Sequence, residues 1–193
     1  MAELASTLSE MLNGQTSQIS QRIGADDGAT SNAIQAAVPS LLAALSQEAN
    51  RGGGLQQAVA EDHDGSIIDN LGDYLNGTAQ LNPRATDGSG ILNHVLGDRQ
   101  ETLARGISAK SGIDLGSAMN LLALLAPVVM GMLGKKQQTP SSSGGGDLGD
   151  LLNRERQDAE SQGGLGDLIG AVLGGGSSGS IGDVLGGLLG GKK

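Results

Sequence analysis

The residues best placed to do chemistry lie together in EDHDGSIID, residues 61–69. Asp62, Asp64 and Asp69 supply carboxylates there, and His63 stands between the first two. Hard divalent cations gather several carboxylate and carbonyl oxygens, and a calcium loop needs a glycine at its sixth position to turn sharply. With Gly65 in that place, Asp62 and Asp64 take the third and fifth positions. The first and twelfth are then Ala60 and Leu71, so two key carboxylates are missing. Calcium held by Asp62, Asp64 and Asp69 is therefore an alternative expectation. The simpler one is a solvated acidic turn ahead of a helix. Among these acids His63 has two special readings, a metal ligand or an upward titration, beside the ordinary one in which one histidine is exposed and the other partly buried with a backbone partner. His94, the other histidine, lies in ILNHVL and is expected at a helix edge. Two histidines with no cysteine and no spaced third ligand make a poor zinc site.

Other chemistry has less footing. No serine stands in an S-x-x-K context, no phosphate loop is present, and the glycine clusters lack the preceding strand that a nucleophile elbow or a dinucleotide fingerprint needs. The expectation is a protein without catalytic activity and without a cofactor. The absence of cysteine excludes disulfides and thiolate metal sites. A net charge of -9 argues against nucleic acid, and the same sign argues against anionic membrane surfaces. MAELASTLSEM has neither a basic nor an apolar leader region, which leads us to expect a cytoplasmic protein.

The second chemically distinctive feature is a repeat. Of the 34 glycines, 17 follow Gln138. LGDLIGAVLGG, residues 165–175, matches IGDVLGGLLGG, residues 181–191, and LGDLLN, residues 148–153, is a partial third copy. Gly166, Gly170 and Gly174, then Gly182, Gly186 and Gly190, fall every fourth residue. On a helix that spacing lines one face and permits close backbone approach. Each arm is only about three turns long, and an isolated helix of that length is marginal in water. The arms are thus expected to be mostly disordered alone; association with copies of themselves or with a partner's apolar groove and a low-complexity tail that only solubilises stand as nearly equal expectations, ahead of shallow membrane association. Asp167 and Asp183 count against burial in a membrane.

What must position these features is a set of helices. From Leu121 to Leu133 every residue is apolar or glycine, except that Pro127 sits mid-run. A helix apolar all round is buried in protein or lipid. This run is shorter than the roughly 18 apolar residues a membrane span needs, so it is expected at the centre of a core. Pro127 removes one donor and should kink or break the helix. Aromatic side chains are limited to Tyr74, so the core must be built from Leu, Ile, Val, Met and Ala.

The order of helices repeats. Residues 8–14 match 91–98, residues 18–25 match 102–109, and NAIQAAVPSLLAAL at 32–45 matches NLLALLAPVVMGML at 120–133, proline on proline. We expect two copies of a helix–helix–kinked-helix unit, about 4–50 and 91–136, packed on each other. Between them, 51–90 is an acidic connector. It is expected to contain a short helix from Leu55, a second helix opened by a capping box at Ser66 and Asp69, and a polar loop over 78–90. After Lys136, TPSSSGGG reads as a flexible linker.

DHDGSIIDNL, ILNHVLGDRQ, SGIDLGSAMNLLALLAPVVMGMLGKK and the Gly-Leu-Asp tail together resemble the bacterial DUF937 family, related to YidB-like proteins. The resemblance covers most of 18–136. It implies an all-helical bacterial protein and supplies no catalytic residues. Family members usually carry an acid where this chain has Ala60. The expected architecture is all-α: one duplicated helical domain over 2–136 and a glycine-rich tail over 137–193. The expected role is non-enzymatic interaction or self-assembly, as a homo-oligomer or with a protein partner, through the tail.

Overall fold

The computed structural model describes residues 3–52, 54–138 and 148–161. All regular elements among them are helical: α1 (Glu3–Asn13), α2 (Thr16–Ile23), α3 (Asp27–Asn50), α4 (Leu55–Asp62), α5 (Ser66–Asp69), α6 (Leu71–Asn76), α7 (Pro83–Thr86), α8 (Gly88–Val95), a 3-10 turn (Gly97–Arg99), α9 (Gln100–Ser111), α10 (Leu115–Gln138) and α11 (Leu148–Ser161).

α10 is the centre. Every residue from Leu124 to Gly134 is buried, which accounts for a run with no polar face. By length and composition α10 alone among the described helices would span a membrane, but 72% of its most apolar window is enclosed by the domain. Helices α2, α3, α4, α5, α8 and α9 all pack against it. α3 is the second buried helix and carries α1, α2, α9 and α11 on its flanks.

The two long helices start alike. Asp26 accepts hydrogen bonds from Gly28 N at 2.7 Å and Ala29 N at 3.3 Å. Asp114 accepts from Ser117 N at 3.0 Å. These carboxylates satisfy donors that a helix start leaves free. Each helix has 24 residues, and Pro39 and Pro127 fall at the same position in both. Ser117 Oγ also donates to Ile23 O at 2.8 Å and ties the start of α10 to the end of α2.

Neither helix breaks at its proline, contrary to one expectation. A proline in a helix interior costs about 3 kcal/mol. Leu121, Leu122, Leu125, Val128, Val129 and Leu133 are all at 0% exposure. Each such burial is worth about 1.5–3 kcal/mol, so continuing the helix outweighs the lost bond.

The connector is more ordered than expected. Asn82 Oδ1 accepts from Arg84 N at 3.0 Å and starts α7 with Pro83 in its first turn. Asp87 Oδ1 accepts from Gly90 N at 2.9 Å and starts α8. The Pro and Asp-Gly signals in 78–90 are therefore helix starts and not loop turns. The helix expected from Ser66 is divided at Asn70, whose side chain donates to Ser66 O at 2.8 Å.

Candidate functional site

The acidic stretch leaves α4 where His63 N donates to Val59 O at 3.2 Å. Gly65 then turns the chain at φ 86°, a conformation side chains resist. Asp64 Oδ1 accepts from Ser66 N at 2.9 Å, so Asp64, not Ser66, caps α5. The hydrogen bonds from Ser66 hold the Asp64 carboxyl below its usual range. Asp69 pairs with Lys135 of α10 instead of closing a capping box. Gln138 Nε2 donates to Asp64 O at 2.9 Å.

Glycines of α10 allow this loop to lie on the helix. A Cβ on Gly134 would fall 1.6 Å from His63 O, and one on Gly131 would fall 2.2 Å from Ile67 Cγ2. The loop is seated backbone against backbone, at distances only glycine permits.

Asp62, Asp64 and Asp69 are not assembled as a calcium set. Among the described residues no three His, Cys, Asp or Glu side chains stand close enough to hold a metal ion. The physical reason is visible in the partners: Asp64 is turned onto Ser66, and Asp69 onto Lys135.

His63 is 4% exposed. Burial pushes its pKa below the ordinary 6.5, against the pull of Asp62 and Asp64. The upward titration expected from its neighbours is thus reversed, because desolvation penalises the charged ring more than the carboxylates favour it. Its Nδ1 is buried without a hydrogen-bond partner among the described residues. His94 is exposed, with Nε2 3.9 Å from Glu48 Oε1. Both rings line one cleft of about 330 Å³, whose walls are Leu55, Ile91, Val95 and Met130 with Asp62, Arg84 and Asp87 at polar positions. The shared cleft was not legible in sequence, since it requires α4 and α8 to meet over α10.

A second cleft, about 410 Å³, is lined by Arg22, Tyr74, Asp87 and Asn120. Arg22 Nη1 donates to Tyr74 O and Leu75 O, each at 2.8 Å. Tyr74 OH donates to Leu124 O at 3.1 Å. Burial pushes the phenol up to about 12.

The third feature is the seat of α11. LGDLLN was assigned to the tail, yet its residues begin a 14-residue helix packed on α3 and α1. Leu152 is at 0% exposure. Asn153 Oδ1 accepts from Ser46 Oγ at 2.8 Å and from Asn50 Nδ2 at 3.0 Å. The Glu155 carboxylate, 7% exposed, accepts from Leu4 N at 3.0 Å and Ala5 N at 3.2 Å. It thereby supplies the acceptor that the start of α1 needs. Sequence reasoning missed this helix because Gly149 and the charged run 154–158 mask a short apolar face. The association glycines Gly166, Gly170, Gly174, Gly182, Gly186 and Gly190 lie outside the described residues.

Among the described residues, the fold and its seated tail helix define an all-helical domain followed by a further helix, α11. Residues 6–136 match the family described as a bacterial protein of unknown function, DUF937, and the chain belongs to that family. No curated protein and no solved structure matches the chain.

Proposed function

We propose that this is a non-enzymatic assembly protein, in which the helical domain is the rigid part and the repeated Leu-Gly-Asp segments are the adhesive part. The observation that carries the reading is the seat of α11. LGDLLN, the first of three related segments, already packs on a helix face and buries Leu152 completely. The other two segments keep the apolar pair at the same offset, Leu168-Ile169 and Val184-Leu185. Further support comes from seven polar side chains whose partners are structural. Asp26, Asp64, Asp87 and Asp114 cap helix starts, and Ser40, Ser111 and Ser117 donate to backbone carbonyls.

Light scattering on the full chain and on a chain ending at Ser161 tests the proposal. The shorter chain keeps α11 and loses only the glycine arms. An oligomer that falls to monomer on this truncation is expected. A full chain that is monomeric at all concentrations would sink the reading. The same oligomer in both would remove the arms from it.

A further inference from the structure

We infer that the face of α3 beside α1 is an exchange site, on which the helix 148–161 of one copy seats in place of the resident α11 of another. The inference rests on the assembly reading above and names the surface through which two copies engage.

Three observations carry it. First, the principal packing of α11 is on α3 and α1, not on α10, the helix that precedes it in the chain. Second, the polar contacts of Asn153 and Glu155 all reach one segment. Asn153 meets Ser46 and Asn50, and Glu155 meets Leu4 N and Ala5 N. Each joins the segment 148–161 to the segment 4–50, so each forms equally well within one chain or between two. Third, the connection is 139–147, nine residues that read TPSSSGGGD. Such a composition imposes no direction, and its reach is up to about 30 Å.

The anchor is also shallow. α11 lies closely along α3, but among its described side chains only Leu152 and Glu155 are buried, with Leu151 partly so. Elements with few buried contacts open at free energies well below that of global unfolding. In a lone chain the short tether keeps the resident helix at an effective concentration on the order of millimolar, so it holds its own seat. Copies gathered by their arms reach a comparable local concentration, and exchange then competes. The arms themselves are weaker occupants of this seat. Where α11 has Asn153 and Glu155, they have Gly170 and Val172, or Gly186 and Leu188, and lack both polar contacts.

The chain has no cysteine, which makes a clean test possible. Full-length Ser46→Cys and full-length Asn153→Cys chains are mixed at high concentration and joined with a short bis-maleimide. Neither chain can close this pair internally, so a 46–153 heterodimer, located by peptide mapping, reports exchange. Adding Leu152→Asp to the Asn153→Cys chain should lower its yield at least about tenfold, the loss expected when a fully buried leucine is replaced by a charge. The Ser46→Cys/Asn153→Cys double variant establishes reach by closing within one chain. Internal closure of the double variant with no heterodimer above the Leu152→Asp level overturns the inference. If light scattering still shows an oligomer, the assembly reading survives that failure. A heterodimer formed by chains that scatter as monomers would do the reverse. Asn50→Cys replaces Ser46→Cys in a second series, so that one badly placed thiol does not decide the result.

Discussion

Replacing Gly134 by alanine should destabilise the domain, although alanine is the better helix former. A glycine in a helix interior costs about 1 kcal/mol relative to alanine, so an isolated helix would gain by the change. At position 134 the added Cβ would stand 1.6 Å from His63 O and 2.8 Å from His63 C. Ordinary contact begins near 3.4 Å, so the carbonyl must retreat by about 1.8 Å. It is held by the His63 N to Val59 O bond, by the turn at Gly65 and by Gln138 on Asp64 O. Overpacking of this kind costs about 1–3 kcal/mol, and a lost hydrogen bond adds about 1 kcal/mol. After subtracting the helix gain, a net loss of about 1–3 kcal/mol follows, or a fall of roughly 5 °C in Tm for a chain of this size. Gly72→Ala is the matched control, since nothing lies within 4 Å of its Cβ. It should raise stability by up to about 1 kcal/mol. Urea and thermal unfolding, followed by helical circular dichroism, measure both. If Gly134→Ala stabilises the protein as Gly72→Ala does, the backbone-on-backbone seat of the acidic loop is wrong.

His63 gives a pH dependence of definite sign. Its pKa is lowered by burial, so the folded state favours the neutral ring. That contribution is complete above about pH 6.5 and declines as pH falls below it. Urea midpoints should drop between about pH 7.5 and pH 5 in the parent and less in His63→Gln; equal slopes would refute the assignment. Tyr74, the single tyrosine, should form phenolate only near pH 12 while folded, and near its ordinary 10 in urea. Phenolate absorbance reads this directly, and a folded-state midpoint at 10 would show an exposed ring. Glu155→Ala should leave the amides of Leu4 and Ala5 without acceptors, at a cost of about 1–3 kcal/mol. Hydrogen exchange should then speed up in α1 and α11 and not in α10, with Glu155→Gln partly restoring protection.

Much of the domain was legible because its signals are periodic and long. The run 121–133 announced a buried helix without a polar face, and α10 is that helix. The leucines of α1, α3 and α9 mark their buried sides in the same way. The correspondence of the halves, read from matched prolines, has the further support that Asp26 and Asp114 cap α3 and α10 at the same distance before Pro39 and Pro127. Descent from one duplicated unit is our proposal on that basis. What sequence could not show depends on partners far along the chain. Asp69 looked like half of a capping box until Lys135, 66 residues away, proved to be its partner. His63 looked electrostatically raised because its acidic neighbours are local, while the walls that desolvate it come from α8 and α10. α11 was hidden because one fully buried leucine gives no period.

The Glu155 clasp on α1 also sets an order of events during synthesis. α1 precedes the other described helices, yet the acceptor for its leading amides is encoded 150 residues later. At about 5–20 residues per second, the ribosome needs roughly 1–3 s to pass from the end of α10 to Glu155. Until Glu155 is available, the amides of Leu4 and Ala5 lack this acceptor and the first turn of α1 stays frayed. A chain cleaved between 139 and 154 would therefore keep α1 to α10 and lose the acceptor at the leading turn of α1.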